Sequence, residues 1–123
     1  MLGYLQERYG FVDQGSMCRE ELLIARRELT RRIKQFSDHY HNKTSRYPML
    51  YTSLSWWRDC TGDSTAFKST NPLVLARWGA TPGSMPGGWV SQTIWQNSDE
   101  YVYGGDSDIF NGSLEDLKRF ATA

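Results

Sequence analysis

The chain has 123 residues, 39% of them hydrophobic and 23% charged, and its formal net charge is zero. That length suits one small domain with a core of its own, and the composition is globular rather than disordered. Balanced charge gives no global attraction to nucleic acid, and no apolar run approaches the ~20 residues that span a bilayer.

The opening MLGYLQERYG lacks a basic start followed by an apolar stretch, so it does not read as a signal peptide. Residues 1–18 have no clear period, although Leu2, Tyr4 and Leu5 could open a short strand. From 19 to 42 the pattern is helical. Leu22, Ala25, Leu29, Ile33, Phe36 and Tyr40 recur at three- and four-residue steps and predict one buried face. Arg26, Arg27, Arg31 and Lys34 lie opposite, as on a solvated helix face. HNKTSRYP is a turn.

A short buried strand is expected at about Met49 to Ser53, and SWWRDCTGDSTAF reads as a loop with a short helix. The apolar run from Leu73 to Trp78 predicts a strand buried on both faces, as in a parallel sheet. TPGSMPGG is a loop, WVSQTIWQ a third strand and VYGGDSDIF a fourth. SLEDLKRFATA closes the chain as a helix, with Ser113 at the cap and Asp116 at the capping-box position. Helices alternating with buried strands predict an α/β fold.

The candidate chemistry centres on GGDSDIFNGS. Asp106 and Asp108 are two apart, so in a strand they share a face. Asp99 and Glu100 are near them in sequence. Two carboxyl groups, one protonated and one ionised, are what glycosidic bond cleavage commonly needs. The same aspartates could instead cap a turn, or bind a hard cation, although no oxygen-rich loop accompanies them. Tyr51, Trp56, Trp57, Trp78, Trp95 and Tyr103 fall at or just past predicted strand ends, where rings could pack on the C–H faces of a sugar. The amide of Gln96 could bind a sugar hydroxyl. His39 and His41 point to different helix faces and are not expected to share a metal. Two cysteines without a CxxC do not make a zinc site. Asn42-Lys43-Thr44 and Asn111-Gly112-Ser113 are glycosylation sequons, relevant if the chain is secreted.

Four blocks, in order, carry a resemblance: YHNKTSRYPMLYTSLSWWRDCTG, STNPLVLARWG, GGWVSQTIWQ and GGDSDIFNGSLEDLKRFA. From 36 to 123 the chain resembles the C-terminal half of fungal, Chalaropsis-type lysozymes of glycoside hydrolase family 25. Residues 1–35 match poorly. The resemblance implies half of a flattened, TIM-like β/α barrel, here with a long amphipathic helix near its N-terminus, and a secreted muramidase without metal or organic cofactor. Such an enzyme cleaves the β-1,4 bond between N-acetylmuramic acid and N-acetylglucosamine.

On the residues, the resemblance implies that Asp106 is an active-site carboxylate. Asp108 then replaces the family's usual asparagine beside it, and Tyr51, Trp78, Trp95 and Gln96 line the groove. Cys60 matches a family cysteine whose partner precedes the long helix, so the resemblance implies a disulfide with Cys18. The family's Asp-x-Glu strand has no counterpart here; after Met1-Leu2, Gly3 and Leu5 stand where its carboxylates belong. The chain is therefore expected to be a truncated or degenerate copy, weak or inactive alone. Expected partners are peptidoglycan or chitooligosaccharide, with no nucleic acid or membrane, and the folded chain is expected to be a monomer. A glycan-binding remnant that does not cut, and a nonfunctional fragment with exposed sheet edges, are the competing readings.

Overall fold

The computed structural model describes residues 19–123. The strand suggested at Leu2–Leu5, the unmatched Gly3 and Leu5, and Cys18 lie outside them. The elements follow the expected order: α1 (Arg19–Thr44), β1 (Leu50–Thr52), α2 (Leu54–Thr61), β2 (Leu73–Ala76), β3 (Ile94–Ser98), β4 (Ser107–Phe110) and α3 (Leu114–Thr122).

Helix α1 runs 26 residues. Glu28 ties its exposed side together, with Arg31 at 2.8 Å and Arg32 at 3.0 Å, and these guanidiniums hold its carboxyl down at about 2. Lys34 pairs with Asp38 one turn on. The helix stops where Ser45 turns left-handed (φ 61°) and its N–H bonds the His41 carbonyl. The apolar stripe is truer at its start than at its end. Ala25 and Leu29 are buried, but Phe36 is 64% exposed and Tyr40 41% exposed. Ser37 is buried instead, because the side-chain amide of Asn71 donates to its hydroxyl at 2.8 Å. Four-residue steps from Ala25 through Leu29 and Ile33 lead to Ser37, so the helix face turns away from Phe36.

Strands β1, β2 and β3 are parallel neighbours and β4 adds antiparallel to β3, giving a mixed, open sheet in the order β1-β2-β3-β4. The central strand β2 is buried less symmetrically than its apolar run predicts. Leu73 and Leu75 are fully buried on one face, whereas Val74 and Ala76 are half-buried on the other. The third strand starts at Ile94 rather than Trp89, and the fourth at Ser107 rather than Val102.

Beneath Leu73 and Leu75 lies an aromatic core of Trp57, Phe67 and Trp89. The Trp57 ring meets Phe67 and Trp89 edge-on, with centroids 5.7 and 5.4 Å away. Both indoles place their N–H on a carbonyl at 2.9 Å, Trp57 on Ser64 and Trp89 on Asn71. Trp57, expected among the sugar-facing rings, is thus a core residue. The side-chain amide of Asn71 also donates to the Pro48 carbonyl at 3.0 Å, joining the turn before β1 to the segment before β2.

Caps set the short helices. Ser53 accepts from the Trp56 N–H at the start of α2, and Gly62 (φ 68°) ends that helix. The Nε of Arg26 reaches the Asp59 carbonyl at 2.9 Å, fastening α1 to α2. At α3, Ser113 and Asp116 form the expected capping box. Bonds from Ser113 draw the Asp116 carboxyl below its ordinary value. Phe120 of α3 packs against Phe110.

Gly87 is where the loop between β2 and β3 meets the core. Its φ is 57°, and a Cβ there would stand 2.6 Å from the Trp89 ring, 2.7 Å from the Trp57 indole nitrogen and 2.8 Å from the Ser64 carbonyl. Asp63 accepts its N–H at 2.7 Å. Gly87→Ala therefore combines a left-handed penalty with overpacking and is expected to destabilise the chain by about 2–4 kcal/mol. Urea unfolding followed by tryptophan fluorescence checks this; an unchanged midpoint would contradict the packing described.

Candidate active site

The site is built at the end of β3, where the chain changes from parallel to antiparallel pairing. Gln96 stands opposite Ala76 on one side and Asp108 on the other. Opposed residues share a face, so Gln96 and Asp108 look the same way. Between Gln96 and Ser98 the ladder slips, leaving Asn97 as an extra residue. Such a bulge bends the strand and re-aims its side chains.

The connection to β4 is a tight tip. The Gly104 N–H bonds the Tyr101 carbonyl at 2.8 Å, and the Tyr101 N–H bonds the Gly105 carbonyl at 3.0 Å. Gly104 (φ 95°) and Gly105 (φ 79°) occupy backbone space that other residues rarely enter. This turn delivers Asp106 beside Gln96, one residue before β4 begins.

Three of the residues singled out in the sequence join here. The Gln96 Nε2 donates to Asp106 Oδ2 at 3.1 Å, and the Tyr51 hydroxyl donates to Gln96 Oε1 at 2.7 Å. A continuous line of hydrogen bonds thus crosses the sheet from β1 to the loop before β4. Gln96 is buried (9% exposed), while Tyr51 (62%) and Asp106 at its ends are open to solvent.

Asp106 does not serve as a turn cap. Asp116 caps locally, holding the Ser113 N–H, and Asp63 holds the Gly87 N–H from 24 positions away. Asp108 is exposed in β4. Trp78 lies just past β2 and is 51% exposed, as a ring available to a ligand must be. Trp95 is set differently. It alternates with Gln96 onto the other face of the sheet, and its indole N–H bonds the Arg77 carbonyl at 2.9 Å. The structure therefore gathers Tyr51, Gln96 and Asp106, sets Asp108 on the Gln96 face and keeps Trp95 apart from it.

Tyr103, one of the rings expected near a strand end, has a partner at the tip that the sequence reading does not name. Tyr101 packs edge-on to Tyr103, centroids 5.6 Å apart, and the rings are 47% and 86% exposed. The aromatic-x-aromatic spacing ahead of Gly104-Gly105 is the signal that could have found the pair. The histidines do not converge: His41 stacks on Tyr47 at 4.0 Å, and His39 is exposed. Cys60 is a buried thiol, raised above its ordinary pKa by burial and by nearby Asp59; Cys18, its expected partner, lies outside the described residues.

Comparison with known proteins gives a consistent picture. The family model for glycosyl hydrolases family 25 matches residues 19–106, a span that ends on Asp106. The chain is 63% identical over 91 residues to the N,O-diacetylmuramidase of a Chalaropsis species, with 73% of this chain and 43% of that protein covered. It is 60% identical over 89 residues to the N,O-diacetylmuramidase of Arthroderma benhamiae, with 72% and 38% covered. It therefore spans about two fifths of the length of these relatives. Among solved structures, a muramidase from Trichobolus zukalii superposes with a TM-score of 0.77 at 50% identity, covering 79% of this chain and 47% of that one.

Proposed function

Because the chain belongs to glycosyl hydrolases family 25, we propose that it supplies the Asp106-bearing part of a muramidase domain. The substrate is peptidoglycan and the bond cleaved is the β-1,4 linkage between N-acetylmuramic acid and N-acetylglucosamine. The observation that carries this reading is the setting of Asp106: an exposed carboxylate at a strand-end bulge, held by a buried amide from the neighbouring strand.

In this reading the open sheet is half of a flattened β/α barrel. Three parallel strands with crossovers support it, as does a β1 edge that carries no further strand among the described residues. Asp106 is one member of an acid cluster at the strand ends, with Asp108 and Trp78 beside it in the groove. Hydrolysis of a glycoside needs a proton donor as well as an ionised partner, and the sequence contains no Asp-x-Glu. The chain alone is therefore weak or inactive in our reading, and activity appears when the uncovered part of the domain is joined to it. The test is release of reducing ends from peptidoglycan by a fusion to the N-terminal part of the Chalaropsis relative, with the unfused chain alongside. A folded fusion that releases nothing would count against the assignment.

The exposed rings of Trp78, Tyr101 and Tyr103 favour a second reading, in which the chain holds glycan without cutting it. Chitooligosaccharide titrated into the unfused chain is expected to perturb tryptophan fluorescence with a Kd in the range of about 1 mM, a contact worth ~4 kcal/mol. Trp78→Ala is expected to remove that signal. Trp95→Ala is expected to leave it, because Trp95 is turned to the other face. Binding that survives Trp78→Ala would take that ring out of the groove.

A further inference from the structure

We propose that Gln96 is a positioning residue for Asp106, locked in place by Tyr51, and not a sugar-contacting amide. This rests on reading Asp106 as the site carboxylate. The polarity of the hydrogen bonds carries the argument. An amide has one accepting end and one donating end, and an ionised carboxylate can only accept. Its NH2 group must therefore face Asp106 and its oxygen must face a donor. The Tyr51 hydroxyl is that donor. Turning the amide over would press its oxygen against the carboxylate, a clash that the Tyr51 hydroxyl, able to donate or accept, does not share. The carboxylate thus sets the orientation of the amide, and the Tyr51 hydroxyl anchors its other end.

The mounting is rigid. The Gln96 side chain is buried, and the backbone carbonyl of Gln96 accepts from the Arg77 N–H at 3.0 Å. Its backbone is registered to Ala76 on one flank and to Asp108 on the other. Asp106 Oδ2 is taken by Gln96, and Oδ1 has no hydrogen-bond partner among the described residues. One carboxylate oxygen is thereby fixed and the other is left for substrate or water. With each end engaged once and the side chain buried, the second amide hydrogen and the second lone pair have little access to a sugar hydroxyl.

Nuclear magnetic resonance of the unfused chain tests this without reference to turnover. The side-chain amide signals of Gln96, assigned in the parent protein, are expected to shift through a carboxylate titration. That response should vanish in Asp106→Asn and persist with altered amplitude in Tyr51→Phe. Signals indifferent to carboxylate titration in the parent would overturn the proposal. In the fused domain, Gln96→Leu is expected to lower kcat by roughly 10–100-fold with KM within about twofold, as for a misplaced reacting group. Tyr51→Phe should lower kcat less, by about threefold. A raised KM with unchanged kcat for Gln96→Leu would make Gln96 a sugar contact instead. If the fused parent never cuts peptidoglycan but the Gln96 signals follow Asp106, the functional reading fails and the positioning stands.

Discussion

Asp106→Asn in the fused domain is expected to cut peptidoglycan hydrolysis by about 10²–10⁴-fold, the range for losing a positioned acid or base. The substitution keeps the shape of the side chain and removes its charge. Gln96 Nε2 can donate to the new amide oxygen as it does to Oδ2, and the position is exposed, so the fold should be unaffected. Circular dichroism of the variant should match its parent while reducing-end release collapses. Asp108→Asn is the control. It is exposed, lies one pleat further along β4 and replaces a residue for which the family resemblance implies asparagine, so its effect should stay within a few-fold. An Asp106→Asn variant as active as its parent would remove Asp106 from the site.

The largest effect on stability is expected at Trp57. Truncation to alanine removes a ring that is 2% exposed and meets both Phe67 and Trp89 edge-on. It also removes the indole donor to the Ser64 carbonyl. Such a change typically costs about 3–5 kcal/mol, against the roughly 5–15 kcal/mol that holds a domain together. A large part of the chain should then unfold at urea concentrations that leave the parent native. Trp78→Ala provides the contrast: half-exposed, it should shift stability by no more than about 0.5 kcal/mol. Equal urea midpoints for parent and Trp57→Ala would refute the core assignment.

The two tryptophans also show where sequence reading succeeds and where it stops. Element types and order were legible because periodicity is a local signal: α1, the β2 run and the Ser113–Asp116 box all announce themselves within a few residues. Burial was less legible because it depends on partners far along the chain. Phe36 fits the helical stripe, yet Ser37 takes the inward place through its bond to Asn71, 34 positions away. Trp57 reads like Trp78 in sequence, and only the loops carrying Phe67, before β2, and Trp89, after it, make it core. Strand starts were misplaced where glycine overrides apolar content, as at Gly104 and Gly105 ahead of β4. In the candidate site, Tyr51, Gln96 and Asp106 could each be named from sequence. Their connection could not, because it arises from strand register and a bulge, which no single stretch encodes.

The line from Tyr51 to Asp106 spans two very different distances along the chain. Gln96 and Asp106 are 10 residues apart within one hairpin, whereas Tyr51 and Gln96 are separated by 45. Closing the longer loop costs about 1.3 kcal/mol more entropy than closing the shorter one, by the logarithm of their lengths. Hairpins form in microseconds, and contacts of high sequence separation come later. The carboxylate should therefore meet the NH2 end of its amide early in folding, with the oxygen end still unanchored. The oxygen end is anchored only when β1, three residues long and at the sheet's edge among the described residues, docks and brings the phenol. Fraying of that edge in the native state would release the phenol first, so the two bonds of the line are lost in the reverse of the order in which they form.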